Sequence, residues 1–313
     1  MLQLTPGSPL ELKMQRDNRG ALGEQSAISE EAMENLKRLY HFDKPIHVRY
    51  GLWLNDLIHL DFGKSFAEHR PVLDMLKERI PVSIAFGLTS ILVALFIGIP
   101  LGMIAAAYQG RFIDYCVSVI LIALYSTPVY VVALVLLTFL GGGDFLDLFP
   151  IYGLKSDDYE TLSWAGQIWD RAHHFFLPGL CYCLGGLAFI AQQQRSSLLD
   201  CMRQDYIRTA LSKGLSERSA FLKHAFRNSL IPTVTLLGGM IPGILGGGII
   251  IERIFSIPGL GLLSYEGLLN RDYPVIMANF TISSFLVLLG IFIADFLYVV
   301  VDPRITFDER GEG

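Results

Sequence analysis

The sequence predicts an all-α integral membrane protein, folded as a polytopic helix bundle. The chain has a mean hydropathy of +0.44 and 52% hydrophobic residues, against only 18% charged ones, a balance typical of membrane proteins. Five apolar runs are each long enough to cross about 30 Å of hydrocarbon. A short basic segment separates the third run from the fourth. The net charge of −5 is uninformative, because charge in such a protein is sorted by side of the membrane.

Residues 1–81 precede the first run and are predicted to form an extracytoplasmic N-terminal segment. They carry scattered charges and turn residues and no apolar run of spanning length. The triplet Gly63-Lys64-Ser65 lies in this segment and is not part of a nucleotide-binding P-loop. A P-loop needs a glycine five residues before its Gly-Lys-Ser, and Ile58 occupies that position.

Each apolar run is predicted to be one membrane-spanning helix within a transmembrane domain at 82–302. The spans cover about 82–107, 115–140, 175–194, 230–251 and 275–301. Pro128 is expected to kink or break the second span, since proline removes a helix hydrogen bond. Glycines at four-residue spacing in the first and fourth spans predict close helix packing. They are Gly98, Gly102, Gly239, Gly243 and Gly247.

The basic segment at 195–229 is predicted to be a helical hairpin on the cytoplasmic side. It holds seven Lys and Arg residues against three acids, and short loops rich in Lys and Arg face the cytoplasm. Its first helical piece ends at Gly214, a residue type favoured just after a helix C-terminus. Because this piece presents the small residues Thr209 and Ala210, the hairpin is suited to docking into another protein. An ordinary basic loop is the alternative interpretation.

Counting spans from this hairpin places residues 1–81 outside the cell and the tail at 303–313 inside. A long polar N-terminus on the outer side has no simple route across the membrane. We therefore expect an upstream spanning segment that is absent from this chain. A five-span protein and a non-functional fragment are the alternatives.

The hairpin also carries residues in the order of a known motif. They are Tyr206, Thr209, Ala210, Lys213, Gly214, His224, Arg227, Asn228 and Pro232. Further motifs follow one another along almost the whole chain. They are Pro6-Gly7-Ser8-Pro9, Phe42-Asp43-Lys44-Pro45, Asp61-Phe62-Gly63 with Ser65, Ile257-Pro258-Gly259-Leu260-Gly261, Arg271-Asp272-Tyr273-Pro274 and Asp302-Pro303-Arg304-Ile305.

In this arrangement the chain resembles the permeases of binding-protein-dependent ABC importers, in the dipeptide and oligopeptide family, with the hairpin as their EAA loop. Positions 205–210 read DYIRTA rather than Glu-Ala-Ala, and Gly214 lies farther from Pro232 than in the generic motif. Both departures fit the peptide branch. The loop from Gly141 to Pro150 is most similar to the YejB-type members.

The resemblance implies the transmembrane domain of a type I ABC importer whose usual first span is missing, because the family's Pro-Gly-x-Pro motif directly follows that span. It implies a transport subunit of the bacterial inner membrane, not an enzyme, that works by alternating access. The hairpin would couple to an ATPase through Asp205, Tyr206, Arg208, Thr209, Ala210, Lys213 and Gly214.

The expected partners are a second homologous permease, two cytoplasmic ABC ATPases, an extracytoplasmic substrate-binding protein and the lipid bilayer, with no nucleic acid. This chain is expected to bind no cofactor, since ATP and Mg would be held by the ATPases.

The implied cargo is a peptide, either a di- or oligopeptide or a microcin-like compound. The motifs do not specify a substrate, so no substrate-binding residue is assigned and an importer of nickel or another small ligand is the alternative. A membrane enzyme such as an intramembrane protease is disfavoured, because no Gly-x-Ser-x-Gly, His-Glu-x-x-His or paired carboxylates occur within the spans. No catalytic or metal-binding residue is predicted, and Asp295 is assigned a structural role near the inner end of the last span.

Overall fold

The computed structural model describes residues 44–142, 145–246 and 248–301. Within these ranges the secondary structure is helical, apart from isolated β-bridges that pair Lys64 with Pro71 and Gly141 with Phe149. The chain divides into two compact units. Of the described residues, those within 44–79 and 263–281 belong to one unit, and those within 80–262 and 282–301 belong to the other.

The helices are numbered along the described residues. They are α1 (Ile46–Ile58), α2 (Val72–Val93), α3 (Ile99–Ala107), α4 (Phe112–Ser126), α5 (Val129–Leu140), α6 (Trp164–Met202), α7 (Asp205–Ser212), α8 (Glu217–Ser219), α9 (Phe226–Gly246), α10 (Ile249–Ile254), α11 (Leu260–Leu269) and α12 (Tyr273–Val301). Two π-helical turns, Ala94–Gly98 and Ala220–Ala225, join α2 to α3 and α8 to α9, and a 3-10 turn lies at Tyr159–Thr161.

Among the residues that the structure describes, four helical stretches are long and apolar enough to cross a membrane. They are Val72–Ala107, Trp164–Met202, Glu217–Ile254 and Tyr273–Leu297. The pair α4 and α5 makes a fifth if it counts as one span. The predicted polytopic helix bundle is therefore confirmed.

The break predicted at Pro128 is a bend of 99° between α4 and α5. Thr127 has an extended backbone, with φ −82° and ψ 123°. Proline disfavours helical geometry in the residue before it and has no N–H to continue the helical ladder. The bend therefore follows directly from the local sequence.

Helix α6 is longer than the apolar run that predicted the third span. It begins at Trp164, before the predicted third span, and ends at Met202, within the predicted hairpin. Ser163 caps its N-terminus by accepting a hydrogen bond from the Gly166 N–H at 3.3 Å. The buried Asp170 carboxylate accepts from the Ser156 N–H at 3.0 Å. Polar residues at this end therefore have hydrogen-bond partners, and the helix extends beyond its apolar part.

The first span packs against α6 through the predicted glycines. A Cβ atom added at Gly98 would lie 3.1 Å from the Leu187 carbonyl oxygen. One added at Gly102 would lie only 2.4 Å from the Ala191 carbonyl oxygen. The absence of side chains at these two positions therefore permits close backbone contact.

Two of the predicted glycines on the fourth span make no such close contact with the described residues. Gly239 and Gly243 have no atom within 4 Å of an added Cβ, and Gly247 lies outside the described residues. Close packing is instead made by the neighbouring Gly238, whose added Cβ would lie 2.5 Å from the Cβ of Ala294. One residue turns a helix by 100°, so the contact falls on a different face from the one we predicted.

We expect Gly238→Val to reduce the amount of folded protein in the membrane. The new Cβ would lie 2.5 Å from Ala294 Cβ and 2.9 Å from the Gly290 carbonyl oxygen, and overpacking of this kind costs about 1–3 kcal/mol. Membrane abundance and the thermal stability of the detergent-solubilised protein measure the effect. Gly239→Val is the matched control, because that position is open. Equal losses in the two variants would contradict the packing described here.

Candidate coupling hairpin

The turn of the hairpin is built by Gly214, as predicted from the sequence. Its φ of +88° is in the left-handed region, where glycine pays no steric penalty. The Gly214 N–H donates to the Leu211 carbonyl at 2.9 Å, and the Leu215 N–H donates to the Ala210 carbonyl at 3.2 Å. These two bonds form a Schellman motif, which satisfies carbonyls at the end of α7.

The second arm of the hairpin starts at α8. Ser216 caps it by accepting a hydrogen bond from the Ser219 N–H at 3.3 Å. The π-helical turn Ala220–Ala225 then leads into α9. Because α9 belongs to a spanning stretch, this arm continues into the membrane without a break.

One face of α7 is anchored in the protein. Ile207 is only 1% exposed and packs in a cluster with the buried residues Leu198, Ala220 and Ala225. Leu211 packs against the same cluster. The first arm is therefore held against α6 and the second arm rather than extending freely into solvent.

The other face of α7 is exposed and carries most of the predicted coupling residues. The exposed residues among them are Asp205, Tyr206, Arg208, Thr209, Lys213 and Gly214, and Ala210 is half-buried. The Thr209 hydroxyl donates to the Asp205 carbonyl within the same helix at 2.9 Å. Arg208 lies 3.5 Å from the Asp205 carboxylate, and such exposed ion pairs contribute little to stability. Both charges therefore remain accessible to another protein.

Tyr206 links the two arms of the hairpin. Its hydroxyl forms side-chain hydrogen bonds with Asn228 and Cys201, and burial raises its pKa. Tyr206 and Asn228 are both positions of the motif recognised in the sequence. The structure therefore gives these two positions a shared role in holding the arms together.

The two ends of the hairpin are joined by Gln194, which sequence reasoning did not identify. Its side-chain amide donates to Ser229 Oγ at 2.7 Å and accepts from Thr233 Oγ1 at 2.7 Å. All three side chains are fully buried. A glutamine directly before a basic segment is a weak signal, because its partners on α9 are not apparent from the sequence.

A second connection at the root of the hairpin is an ion pair between Arg195 and Asp114. Arg195 Nε and Nη2 donate to the two carboxylate oxygens at 2.7 and 2.9 Å. The Gly110 N–H and the Ser118 hydroxyl also donate to Asp114, at 3.0 and 3.2 Å. Asp114 is buried, while Arg195 is partly exposed. A bidentate pair with two further donors is among the stronger polar contacts in proteins.

A buried carboxylate, Glu252, organises the segment that follows α9. Its oxygens accept from the Tyr182 hydroxyl at 2.8 Å and from the Leu262 N–H at 2.6 Å. The Tyr182 oxygen in turn accepts from the Gly248 N–H at 2.7 Å. Gly259 contacts the carboxylate so closely that an added Cβ would lie 2.3 Å from its carbon. Residues 249–262 therefore fold around this side chain as α10, a break that contains Pro258 and Gly259, and the beginning of α11.

Two motifs that are far apart in the sequence meet in the smaller unit. Asp272 is buried and accepts from the Ser65 hydroxyl at 2.5 Å and from the Ala67 N–H at 3.1 Å. Ser65 follows the Asp61-Phe62-Gly63 motif, and Asp272 belongs to Arg271-Asp272-Tyr273-Pro274. The pairing accounts for both motifs as parts of one structural contact.

In the part of the chain that the structure describes, no group of three His, Cys, Asp or Glu residues is placed to hold a metal ion. Cys181 and Cys183 are free and buried, and Asp295 is exposed on the surface of α12.

The sequence matches a known protein family and is similar to individual transport proteins. Residues 98–307 match the family described as binding-protein-dependent transport system inner membrane component, a match that includes the whole hairpin. The inner membrane ABC transporter permease protein YejB of Escherichia coli O157:H7 is 38% identical, over 90% of this chain and 78% of that protein. The oligopeptide transport system permease protein AppB of Bacillus subtilis is 36% identical, over 98% of this chain and 92% of that protein.

A solved structure shows the same fold. The MetNI methionine ABC transporter, in an inward-facing conformation, aligns with a TM-score of 0.52 and 18% identity, over 73% of this chain and 97% of the matched chain. At this identity the likeness concerns the fold alone. The apolar helices fit the family that the comparisons identify. The chain belongs to the binding-protein-dependent inner membrane components, the permease subunits of ABC importers.

Proposed function

We propose that this chain forms half of the translocation pathway of an ATP-driven importer that takes up peptides by alternating access. Support for the cargo comes from the relatives that are named for oligopeptide transport and, at 35% identity, for dipeptide transport. The complete importer would contain a second permease, two ATPases that hold ATP and Mg, and an extracytoplasmic substrate-binding protein.

The observation that carries the proposal is the exposed face of α7 on an anchored hairpin. A face that transmits force must be accessible to its partner and firmly attached to its own protein. Thr209 and Arg208 are exposed, whereas Ile207 on the same helix is buried. We therefore assign the ATPase-docking surface to Asp205, Tyr206, Arg208, Thr209, Ala210, Lys213 and Gly214.

The proposed orientation follows from the basic residues of the hairpin. Loops rich in Lys and Arg remain on the cytoplasmic side, where the ATPases would bind. With 195–229 inside, residues 1–81 lie outside and the tail at 303–313 lies inside. The same proposal divides the chain into an N-terminal segment at 1–81, a transmembrane domain at 82–302 that contains the coupling loop at 195–229, and a tail at 303–313.

A cavity of about 540 Å³ lies beside the bend at Pro128 in the larger unit. Tyr125, Gly185, Gly186 and Met240 are among the residues that line it. Discontinuous helices commonly border the pathways of transporters. The bent pair is therefore the part of this unit best placed to change shape during transport.

We expect Thr209→Trp to prevent ATPase docking while leaving the fold intact. The Thr209 side chain is exposed, and its hydroxyl bonds only within its own helix among the contacts described, so a large ring there would obstruct a partner and not the chain itself. Co-purification of the ATPases should fall at least tenfold, about 1.4 kcal/mol of binding free energy.

Thr161→Trp is the matched control for this experiment. Thr161 is also exposed, and its hydroxyl donates to the backbone carbonyl of Asp158 at 2.7 Å. Its replacement should leave ATPase co-purification unchanged. Equal amounts of ATPase with both variants would exclude Thr209 from the docking surface.

Uptake measurements distinguish the peptide importer from the nickel importer. Cells with the complete transporter should accumulate labelled tri-alanine, and cells without this chain should not. Accumulation of labelled nickel without tri-alanine uptake would favour the alternative cargo.

A further inference from the structure

Five residues at the root of the hairpin form what we call the anchoring node: Asp114, Gln194, Arg195, Ser229 and Thr233. The node joins the beginning of α4, the C-terminal part of α6 and the beginning of α9. Its hydrogen bonds are directional, so they fix the relative positions of the helices that they join. The polar links therefore make the hairpin root move as one body with α4.

The first span also meets α6 at the node. An added Cβ at Gly102 would lie 2.9 Å from Gln194 Cβ and 3.1 Å from the Arg195 backbone nitrogen. No space separates the two backbones there. A displacement of the root must therefore move α3 as well as α4.

Helix α4 leads from the node to the 99° bend at Pro128. The fixed end of α4 is held through Asp114, which accepts four hydrogen bonds in all. A rotation at this end would reach the bend along the 15 residues of α4. The bend is thus the first point along the chain at which such a movement can change the shape of the unit.

We propose that the anchoring node transmits the movement of the hairpin to the α4–α5 pair, with Gln194 and Arg195 as positioning residues for transport. The inference rests on the proposed function, because it assumes that an ATPase moves the hairpin. It differs from that proposal in its location: the node lies behind the docking surface and is needed after docking has occurred.

The two hydroxyl partners of Gln194 have other acceptors, which makes it possible to test the link between the helices separately from stability. The Ser229 hydroxyl also donates to the Phe226 carbonyl at 2.8 Å, and the Thr233 hydroxyl lies 3.5 Å from the Ser229 carbonyl. Both hydroxyls therefore keep an acceptor within α9 when the amide of Gln194 is removed. A variant without the amide loses the connection between the helices but leaves no hydroxyl without an acceptor.

The test compares Gln194→Leu with Gln193→Leu in the complete transporter, with labelled tri-alanine as the probe. Gln193 donates only to Ser197 in its own helix among the contacts described, so it provides the same change of chemistry without a link between helices. We expect Gln194→Leu to keep its ATPases and to hydrolyse ATP within twofold of the wild-type rate. The number of peptides imported per ATP should fall at least tenfold, while Gln193→Leu should match the wild type.

Arg195→Lys provides a second variant, which keeps the charge but cannot form the bidentate pair with Asp114. We expect a loss of several-fold in peptides imported per ATP. An unchanged ratio in Gln194→Leu and Arg195→Lys would overturn the proposal, as would a failure of both proteins to accumulate, which indicates a structural role. Failure of the proposed function is distinct, because the wild-type transporter itself would then import no tri-alanine.

Discussion

Gly214→Leu is expected to abolish peptide uptake while the protein still reaches the membrane. Gly214 has a φ of +88°, and the left-handed conformation costs a residue with a side chain about 1–2 kcal/mol. An added Cβ meets no atom within 4 Å, so the cost is conformational and not steric. The hairpin relieves it by giving up the Schellman turn, which changes the angle between its arms and removes the docking surface.

The measurements are ATPase co-purification and tri-alanine uptake, each of which we expect to fall at least tenfold. Gly63→Leu is the control, because Gly63 also has a positive φ, of +74°, and open space around its Cβ position. That change should introduce similar strain without loss of ATPase binding. Normal uptake with Gly214→Leu would mean that the hairpin is an ordinary basic loop.

Glu252→Ala is expected to cause the largest loss of stability. The carboxylate is fully buried and accepts hydrogen bonds from Tyr182 and Leu262. Its removal leaves both donors without this acceptor, and each unsatisfied buried group costs about 1–3 kcal/mol. The free energy of unfolding should therefore fall by about 3 kcal/mol, measured by denaturation of the detergent-solubilised protein.

An exposed glutamate provides the comparison for this effect. Glu160 pairs with Lys155 at 2.8 Å on the surface, where solvent screening leaves an ion pair little net effect on stability. Glu160→Ala should therefore leave the free energy of unfolding nearly unchanged. Similar losses in the two variants would show that the Glu252 network does not hold α10 and α11 in place.

Local signals in the sequence were sufficient for the main features of the fold. Apolar runs predicted the spans, Pro128 predicted the bend and Gly214 predicted the turn of the hairpin. Each of these depends on a few adjacent residues, whose backbone preferences act at short range. The family resemblance, which depends on the order of the motifs, is confirmed by the match to residues 98–307.

The buried polar contacts could not be predicted in the same way. Asp114 is 81 residues from Arg195 along the chain, and Glu252 is 70 residues from Tyr182. Nothing local to either acid identifies such a partner. The glycines of the fourth span show a related difficulty. Their four-residue spacing indicates a close helix contact, but it does not identify Gly238 rather than Gly239 as the residue that makes it. The assignment of the docking surface remains a prediction for the same reason, because its partner is another chain.

The most direct test of the docking surface is photo-cross-linking in the complete transporter. A photoreactive amino acid is placed at Thr209, on the exposed face of α7, and in a separate variant at Gln109, which is also exposed and lies on the proposed cytoplasmic side. We predict that position 209 forms a cross-link to the ATPase and that position 109 forms little or none. Cross-links to the ATPase from position 109 but not from position 209 would contradict the assignment of this hairpin as the coupling element.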